Sequence, residues 1–357
     1  MSEERIIVVP FLDAFGGVER LVVGLCRYLR ACGVAHRIVC LRASIDLAEW
    51  AGWPIEVEEV RAARHSLAEA WALRRRLQGA NDVLFFDLKG AFYAGLAMGG
   101  RYHVHLTDPP SLLPRDVSKH APSLSYELSS DMVRAELAHR LNRRGVRRAK
   151  TVIAMTNAIA RELQTLYSVE PVVLRPGVRS MPVAVREPSR HLLSLSRLEP
   201  NKRIDWILRA VAALPDRDFV LDIVGEGSQR SALEALAAEL GIAANTRFHG
   251  RVSDEAVEQL WARCGLFLMP AVQGYGLPAL ESLARRVPVV LHRDSGVAEI
   301  LGDTPWVAII DDAASLAPAL ARMAGVQTRP AVPIIPTEEG WAQQLSAACG
   351  WITPTGS

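Results

Sequence analysis

No stretch of this 357-residue chain approaches about 18 uninterrupted apolar residues, so a membrane-spanning helix is not expected. The N-terminus, Met1 to Phe11, lacks the basic and apolar regions of a secretory signal and runs straight into a strand pattern. Cysteine is sparse. Cys26, Cys32, Cys40, Cys264 and Cys349 are scattered, odd in number and without CxxC spacing, which excludes a disulfide framework and a zinc site. They fit a reducing cytosol as small buried hydrophobes. There is little excess charge: a formal +2 gives no reason to invoke nucleic acid. Internal repeats and low-complexity tracts are also lacking. What remains, 50% hydrophobic and 22% charged, is the composition of a soluble globular protein, long enough that two domains are expected.

Short apolar runs alternate with helical periodicity from end to end, the pattern of βα units on parallel sheets. In the first half the runs are Arg5–Val9, Ala35–Leu41, Asp82–Phe86, Tyr102–Leu106, Thr151–Met155 and Val172–Leu174. Between them lie helices such as Val18–Ala31, where Val18, Leu21, Val22, Leu25 and Leu29 share one face. The second half contributes His191–Ser196, Phe219–Val224, Thr246–His249, Leu266–Met269, Val287–Leu291 and Trp306–Ile310. Gly177–Arg190, with two prolines and no helical period, reads as a linker. The expected organisation is an α/β chain of two doubly wound, Rossmann-like domains, residues 1–178 and 188–335, facing a central cleft. A C-terminal helix within 337–354, after a Pro-rich crossing at Arg329–Pro336, is expected to pack back on the first domain.

The chemistry gathers in the second half. Leu266–Met269 is broken by Pro270 and a glycine-containing loop, and a helix is expected to start near Leu277, with Glu281 one turn inside it. Upstream, Arg197 and Lys202 follow the run His191–Ser196. Strand, glycine loop and helix turn backbone N–H groups toward an anion. Two such strand ends suggest a diphosphate site with two cations and one carboxylate.

These residues resemble the retaining nucleotide-sugar glycosyltransferases of the GT-B fold, the group 1 or family 4 type. The resemblance rests on Gly16-Gly17-Val18-Glu19, on His105 at a strand end, and on SRLEPNKR at 196–203, similar to "GRL-x-x-x-K". It extends through IVGEGS at 223–228, FHGRVSDEA at 248–256, and Gln273 to Val290, similar to "E-x7-E" followed by "A-x-G-x-PVV". Two departures stand out: Gln273 occupies the place of the first Glu, and Arg286 that of a common Gly.

The resemblance implies a role for each matching residue. Arg197 and Lys202 neutralise the leaving diphosphate, and Gly276, Leu277, Gly16 and Gly17 offer backbone N–H groups to it. Glu281 accepts from the ribose hydroxyls, and Gln273 faces the donor sugar. Arg251 and Val252 read the nucleobase by main chain, Gly225 and Tyr275 complete the donor site, and His105 lies beside the reacting sugar. Asp13 and Asp108 are candidate acceptor contacts. No metal or other cofactor is expected, since two cations serve the diphosphate and no Asp-x-Asp motif is placed to hold an ion there; Asp311-Asp312 lack the intervening residue.

The implied activity is transfer of a sugar from a UDP- or GDP-type donor to a hydroxyl of a saccharide, lipid-linked or small-molecule acceptor, in the cytoplasm. The alternatives are a nucleotide-sugar epimerase of the same fold, and a nucleotide-sugar-binding protein whose catalysis is impaired at Gln273. Arg134 to Lys150 carries seven Arg or Lys against one acid, and no Phe, Tyr or Trp. Such a run either draws the chain to an anionic membrane surface or is a solvated helix face.

Overall fold

The computed structural model describes residues 4–13, 15–63, 66–99, 101–110, 139–181, 189–215, 218–324 and 331–353. Parts of the expected linker (182–188), of the basic run (134–138) and of the Pro-rich crossing (329–330) lie outside the described residues. The chain divides into two compact units, Met1–Gly177 with Pro336–Ser357, and Val178–Ile335.

The first unit is built on a seven-stranded parallel sheet. Its strands are β1 (Arg5–Val8), β3 (His36–Cys40), β5 (Val57–Glu59), β6 (Val83–Phe86), β7 (Tyr102–Leu106), β8 (Thr151–Ala154) and β9 (Val172–Val173), in the order β5-β3-β1-β6-β7-β8-β9. A further pair, β2 (Phe11–Leu12) with β4 (Arg42–Ala43), continues beyond β1 and β3. The strands are short continuous apolar runs because both sheet faces are covered by helices. Crossover handedness puts α1 (Gly17–Ala31) on one face. On the other lie α3 (Ser66–Arg76), α4 (Asp87–Ala97), α5 (139–148) and α6 (Asn157–Tyr167). A short α2 (Leu47–Ala51) follows β4.

The second unit carries a six-stranded parallel sheet of β10 (His191–Leu195), β11 (Val220–Val224), β12 (Thr246–Gly250), β13 (Cys264–Met269), β14 (Val289–His292) and β15 (Val307–Ile310). The order is β12-β11-β10-β13-β14-β15. Its helices are α7 (Ile204–Ala212), α8 (Arg230–Glu239), α9 (Asp254–Arg263), α10 (Leu277–Ala284), α11 (Ala298–Leu301) and α12 (Ala313–Ala324). Ile207, Leu208, Leu233 and Leu320 from the helices close over Leu221, Ile223, Leu268 and Ile310 of the sheet. Burying each such side chain is worth about 1.5–3 kcal/mol.

The last helix, α13 (Glu338–Ala348), belongs to the first unit. It packs on α1, where Gly24 lies so close to Glu338 that a Cβ would come within 2.9 Å of its side chain. Arg27 pairs with Glu338, Trp341 is buried, and Trp351 Nε1 donates to the carbonyl of Asp82 at 2.8 Å.

Several boundaries differ from the sequence expectation for local reasons. β14 begins at Val289, not Val287: Arg286 takes a left-handed conformation (φ 56°), and Val287 N–H donates to the Ser282 carbonyl, ending α10. Pro288 then has no N–H to give to a ladder. β5, β2 and β4 were not anticipated, being two or three residues long and so too short to form a period.

Candidate functional site

In the second sheet the strand order reverses between β10 and β13. The loops leaving these two strands diverge there and open a crevice at the carboxyl edge, where ligands of doubly wound sheets bind. The loop after β10 is tightly tethered. Ser196 N–H donates to Val224 O (3.1 Å), Leu198 N–H to Glu226 O (2.8 Å), and Gln229 N–H to Leu198 O (3.0 Å). The Glu199 carboxylate accepts from Ser228 Oγ at 2.7 Å and from its N–H at 3.2 Å. A single 3₁₀ turn, Pro200–Lys202, then delivers Lys202, whose N–H donates to Glu199 O at 2.9 Å. Arg197 is exposed on the same loop.

The loop after β13 meets it. Lys202 Nζ donates to Gln273 Oε1 at 3.0 Å, and Gln273 Nε2 lies 3.1 Å from the Met269 sulfur, a weak acceptor. A hydrogen bond to a charged group is worth about 1.5–3 kcal/mol. The main chain of Gln273 bridges to Ser295, and Gly296 N–H donates to its carbonyl at 3.1 Å. Gly276 has φ 121°, open to glycine alone, and a Cβ there would meet Ser295 Oγ at 2.8 Å and Gln273 Nε2 at 3.0 Å. The backbone therefore lies directly against Gln273 as α10 begins at Leu277. Its N-terminal dipole adds positive potential on the same side. Glu281 follows one turn in, half-buried.

The structure thus brings Lys202, Gln273 and Gly276 into one constellation, with Arg197 on the loop that carries Lys202 and Leu277 and Glu281 on the helix that Gly276 opens. Tyr275 has a buried ring, and its carbonyl accepts from Ser295 Oγ and Val297 N–H, both at 2.9 Å. Arg251 and Val252 follow the end of β12, two strands away from β10 and three from β13. Gly225 N–H donates to Gly250 O at 2.9 Å, and a Cβ would fall 1.9 Å from Ser196 O. Close backbone approach accounts for this glycine, and its amide is already used.

The first unit holds the other expected residues. His105 is fully buried, stacked on Phe86 (5.0 Å between centroids) and edge-on to Trp341 (5.7 Å). Burial pushes its pKa down to about 3, so the ring is held neutral. Sequence reading missed the cause, which is a helix from the far end of the chain laid over this strand. Gly16 N–H donates to the Glu19 carboxylate at 2.9 Å, a local helix cap. Gly17 is exposed with open space where a Cβ would be. Asp13 is exposed and held by Arg42, at 3.1 and 3.2 Å, which keeps its pKa below the usual value. Asp108 is exposed after β7.

Two carboxyls at this sheet edge were not singled out. Asp87 receives a hydrogen bond from Thr107, and burial pushes its pKa up to about 7. Glu19 is raised in the same way by burial. The signal for Asp87 was readable: an acid directly after the apolar run Val83–Phe86.

Comparison with known proteins places this geometry. Residues 182–324 match the family model "Glycosyl transferases group 1", and residues 15–180 match "Glycosyltransferase Family 4". The D-inositol 3-phosphate glycosyltransferase of Streptomyces scabiei is 32% identical over 239 residues, 58% of this chain and 52% of that one. The 2-deoxystreptamine glucosyltransferase of Streptomyces kanamyceticus is 27% identical over 261 residues, 66% of this chain and 65% of its own. The chain therefore spans less than two thirds of the length of these curated relatives. Among solved structures, Anabaena Alr3699/HepE in complex with UDP-glucose superposes with a TM-score of 0.72 at 17% identity, covering 96% of this chain and 94% of that one. The lipopolysaccharide outer core galactosyltransferase WaaB, apo form, gives 0.71 at 14% identity, with 97% and 99% covered. Those likenesses show the GT-B fold of two Rossmann-like halves. With both halves matched in order by their family models, the chain belongs to the group 1 and family 4 glycosyltransferases of the GT-B fold.

Proposed function

We propose that the chain transfers a sugar from a nucleotide-diphosphate donor, of UDP or GDP type, to a hydroxyl of a saccharide, lipid-linked or small-molecule acceptor, with retention and without a metal. The observation that carries this is the Lys202 ammonium held 3.0 Å from Gln273 at the point where the strand order reverses, beside the start of α10. A sugar–diphosphate bond breaks as negative charge grows on the leaving phosphate. A mobile point charge at Lys202 and a planar guanidinium at Arg197 stabilise that charge from a fixed loop. Two cations meet the need that a bound divalent ion would otherwise serve.

Gln273 presents an amide in place of a carboxylate. It keeps the hydrogen-bonding shape for sugar hydroxyls and, unlike a carboxylate, carries no charge of its own. Glu281, one turn into α10, accepts from the ribose hydroxyls. Retention follows from attack on the same face as the departing group, with the leaving phosphate oxygen taking the acceptor's proton. That route needs no separate general base. The relatives named above for inositol phosphate and 2-deoxystreptamine act on polyhydroxylated rings, which supports a hydroxyl acceptor here.

The test is turnover of a panel of nucleotide sugars with polyol acceptors, with and without a chelator, and with the product's anomeric configuration read by NMR. Chelator-insensitive formation of a product that keeps the donor's configuration is expected. Inversion, or loss of turnover with the chelator, overturns the mechanism. Consumption of donor by Gln273→Glu and not by the natural chain overturns the activity itself.

A further inference from the structure

We propose that the outer surface of the α3–α4–α5 helix layer in the first unit docks on an anionic lipid bilayer, with Leu67 and Trp71 entering the headgroup region. Large apolar side chains are seldom left this open: Leu67 is 72% exposed and Trp71 60%. They stand one turn apart on α3, whose inward residues Ala70 and Leu73 are buried, as is Leu77 just past its end. The outward face thus reads Leu67, Trp71, Arg74 and Arg75, without an acid. Arg75 lies over the Trp71 ring at 4.8 Å.

Of the acids nearby, Glu56 and Glu59 are exposed before α3, while Glu69 and Glu58 are tied up. Glu69 accepts from Tyr93 of α4 at 2.6 Å, and Glu58 is paired with Arg76 and Arg37. Positive charge continues across the layer. α4 lies between α3 and α5, and its Gly95 abuts Gly145 of α5, where a Cβ would come within 2.9 Å of the backbone. Arg140, Arg143, Arg144, Arg147 and Arg148 of α5 are exposed, and residues 139–149 contain no acid.

A helix face that combines Trp and Leu with flanking arginines matches the interfacial zone of a membrane. The rings and aliphatic stems take the apolar boundary, and guanidinium groups reach lipid phosphates. A nucleic acid would be served by the charge but leaves the Leu67 side chain without a partner. This proposal does not depend on the catalytic reading; it assigns a surface distant in sequence from the second unit.

The test is co-sedimentation of the full chain with phosphatidylcholine vesicles and with vesicles also containing phosphatidylglycerol. Preferential partitioning to the anionic vesicles is expected, weakening with salt. Each arginine near such a surface is worth about fivefold in partitioning, so Arg143→Gln with Arg147→Gln should lower it by roughly twentyfold. Trp71→Ala should lower it about tenfold, since the ring supplies the buried apolar area. All these residues are exposed, so unfolding temperatures should match the parent's. Equal binding to neutral and anionic vesicles, or full binding by Trp71→Ala, overturns the proposal. So does a concentration-dependent dimer abolished by Trp71→Ala, which assigns the face to a second copy, or competition for it by duplex DNA.

Discussion

The residues after β10 and β13 differ from an ordinary charged surface in how firmly their main chain is fixed. Arg197 is exposed, yet Ser196 and Leu198 on either side are both hydrogen-bonded to the β11 loop. For Arg197→Ala, turnover should fall about 10²–10³-fold. Nucleoside diphosphate affinity should fall much less; steady-state kinetics beside direct binding separates the two. Arg286 is a different kind of residue, left-handed at φ 56° where α10 ends. Arg286→Gly should stabilise the chain by about 0.5–1 kcal/mol, readable as a higher urea midpoint. The sequence comparison had marked this position as one where a glycine is usual, and the backbone supplies the reason.

Asp87 and His105 make an opposed pair. Asp87 rises from 3.8 to about 7, so the native state holds a proton that the unfolded chain gives up, and that stabilisation is lost as pH rises from about 4 to 7. His105 falls from 6.5 to about 3, so its contribution is present above about 6.5 and lost as pH falls toward 3. Between about 4 and 6.5 the two slopes oppose each other. Asp87→Asn should therefore lose stability on acidification by about 1.4 kcal/mol per pH unit more steeply than the parent. Urea unfolding at pH 7, 6 and 5 checks this, and parallel curves would contradict it.

At the scale of elements, most of the fold was legible. Runs such as Tyr102–Leu106 and the helix starting at Leu277 announced themselves by period and by breakers. The strand ends carrying Lys202 and Gln273 were legible too, because a glycine loop between a strand and a helix has one common use. Contacts of long sequence separation were not legible. The packing of Trp341 against His105, more than two hundred residues earlier, is one such contact. The Ser196 carbonyl in the place of a Gly225 Cβ is another. No period in the sequence encodes either. α13 is correspondingly a structural part of the first unit: Trp341→Ala should cost about 3–5 kcal/mol, seen as a lowered unfolding midpoint.

At the scale of the whole molecule, two parallel sheets of similar winding serve unequal chemistry. In the second unit, the reversal of strand order coincides with cations and a helix start. In the first, the carboxyl edge of the sheet carries Asp13, Glu19, Asp87 and Asp108, an acidic edge suited to hydroxyl groups and unsuited to phosphate. Base, sugar and acceptor were illegible because they depend on side chains spread over many loops, whereas the proposed diphosphate site rests on a local motif.

Thermal unfolding with UDP, GDP, ADP and dTDP, in the parent chain and in Lys202→Ala, tests the diphosphate site most directly. A ligand at 100 times its Kd adds about 2.7 kcal/mol of stability. At least one nucleoside diphosphate should raise the parent's unfolding temperature, and Lys202→Ala should lose most of that rise. An equal rise in both proteins, or none with any of the four, would contradict it.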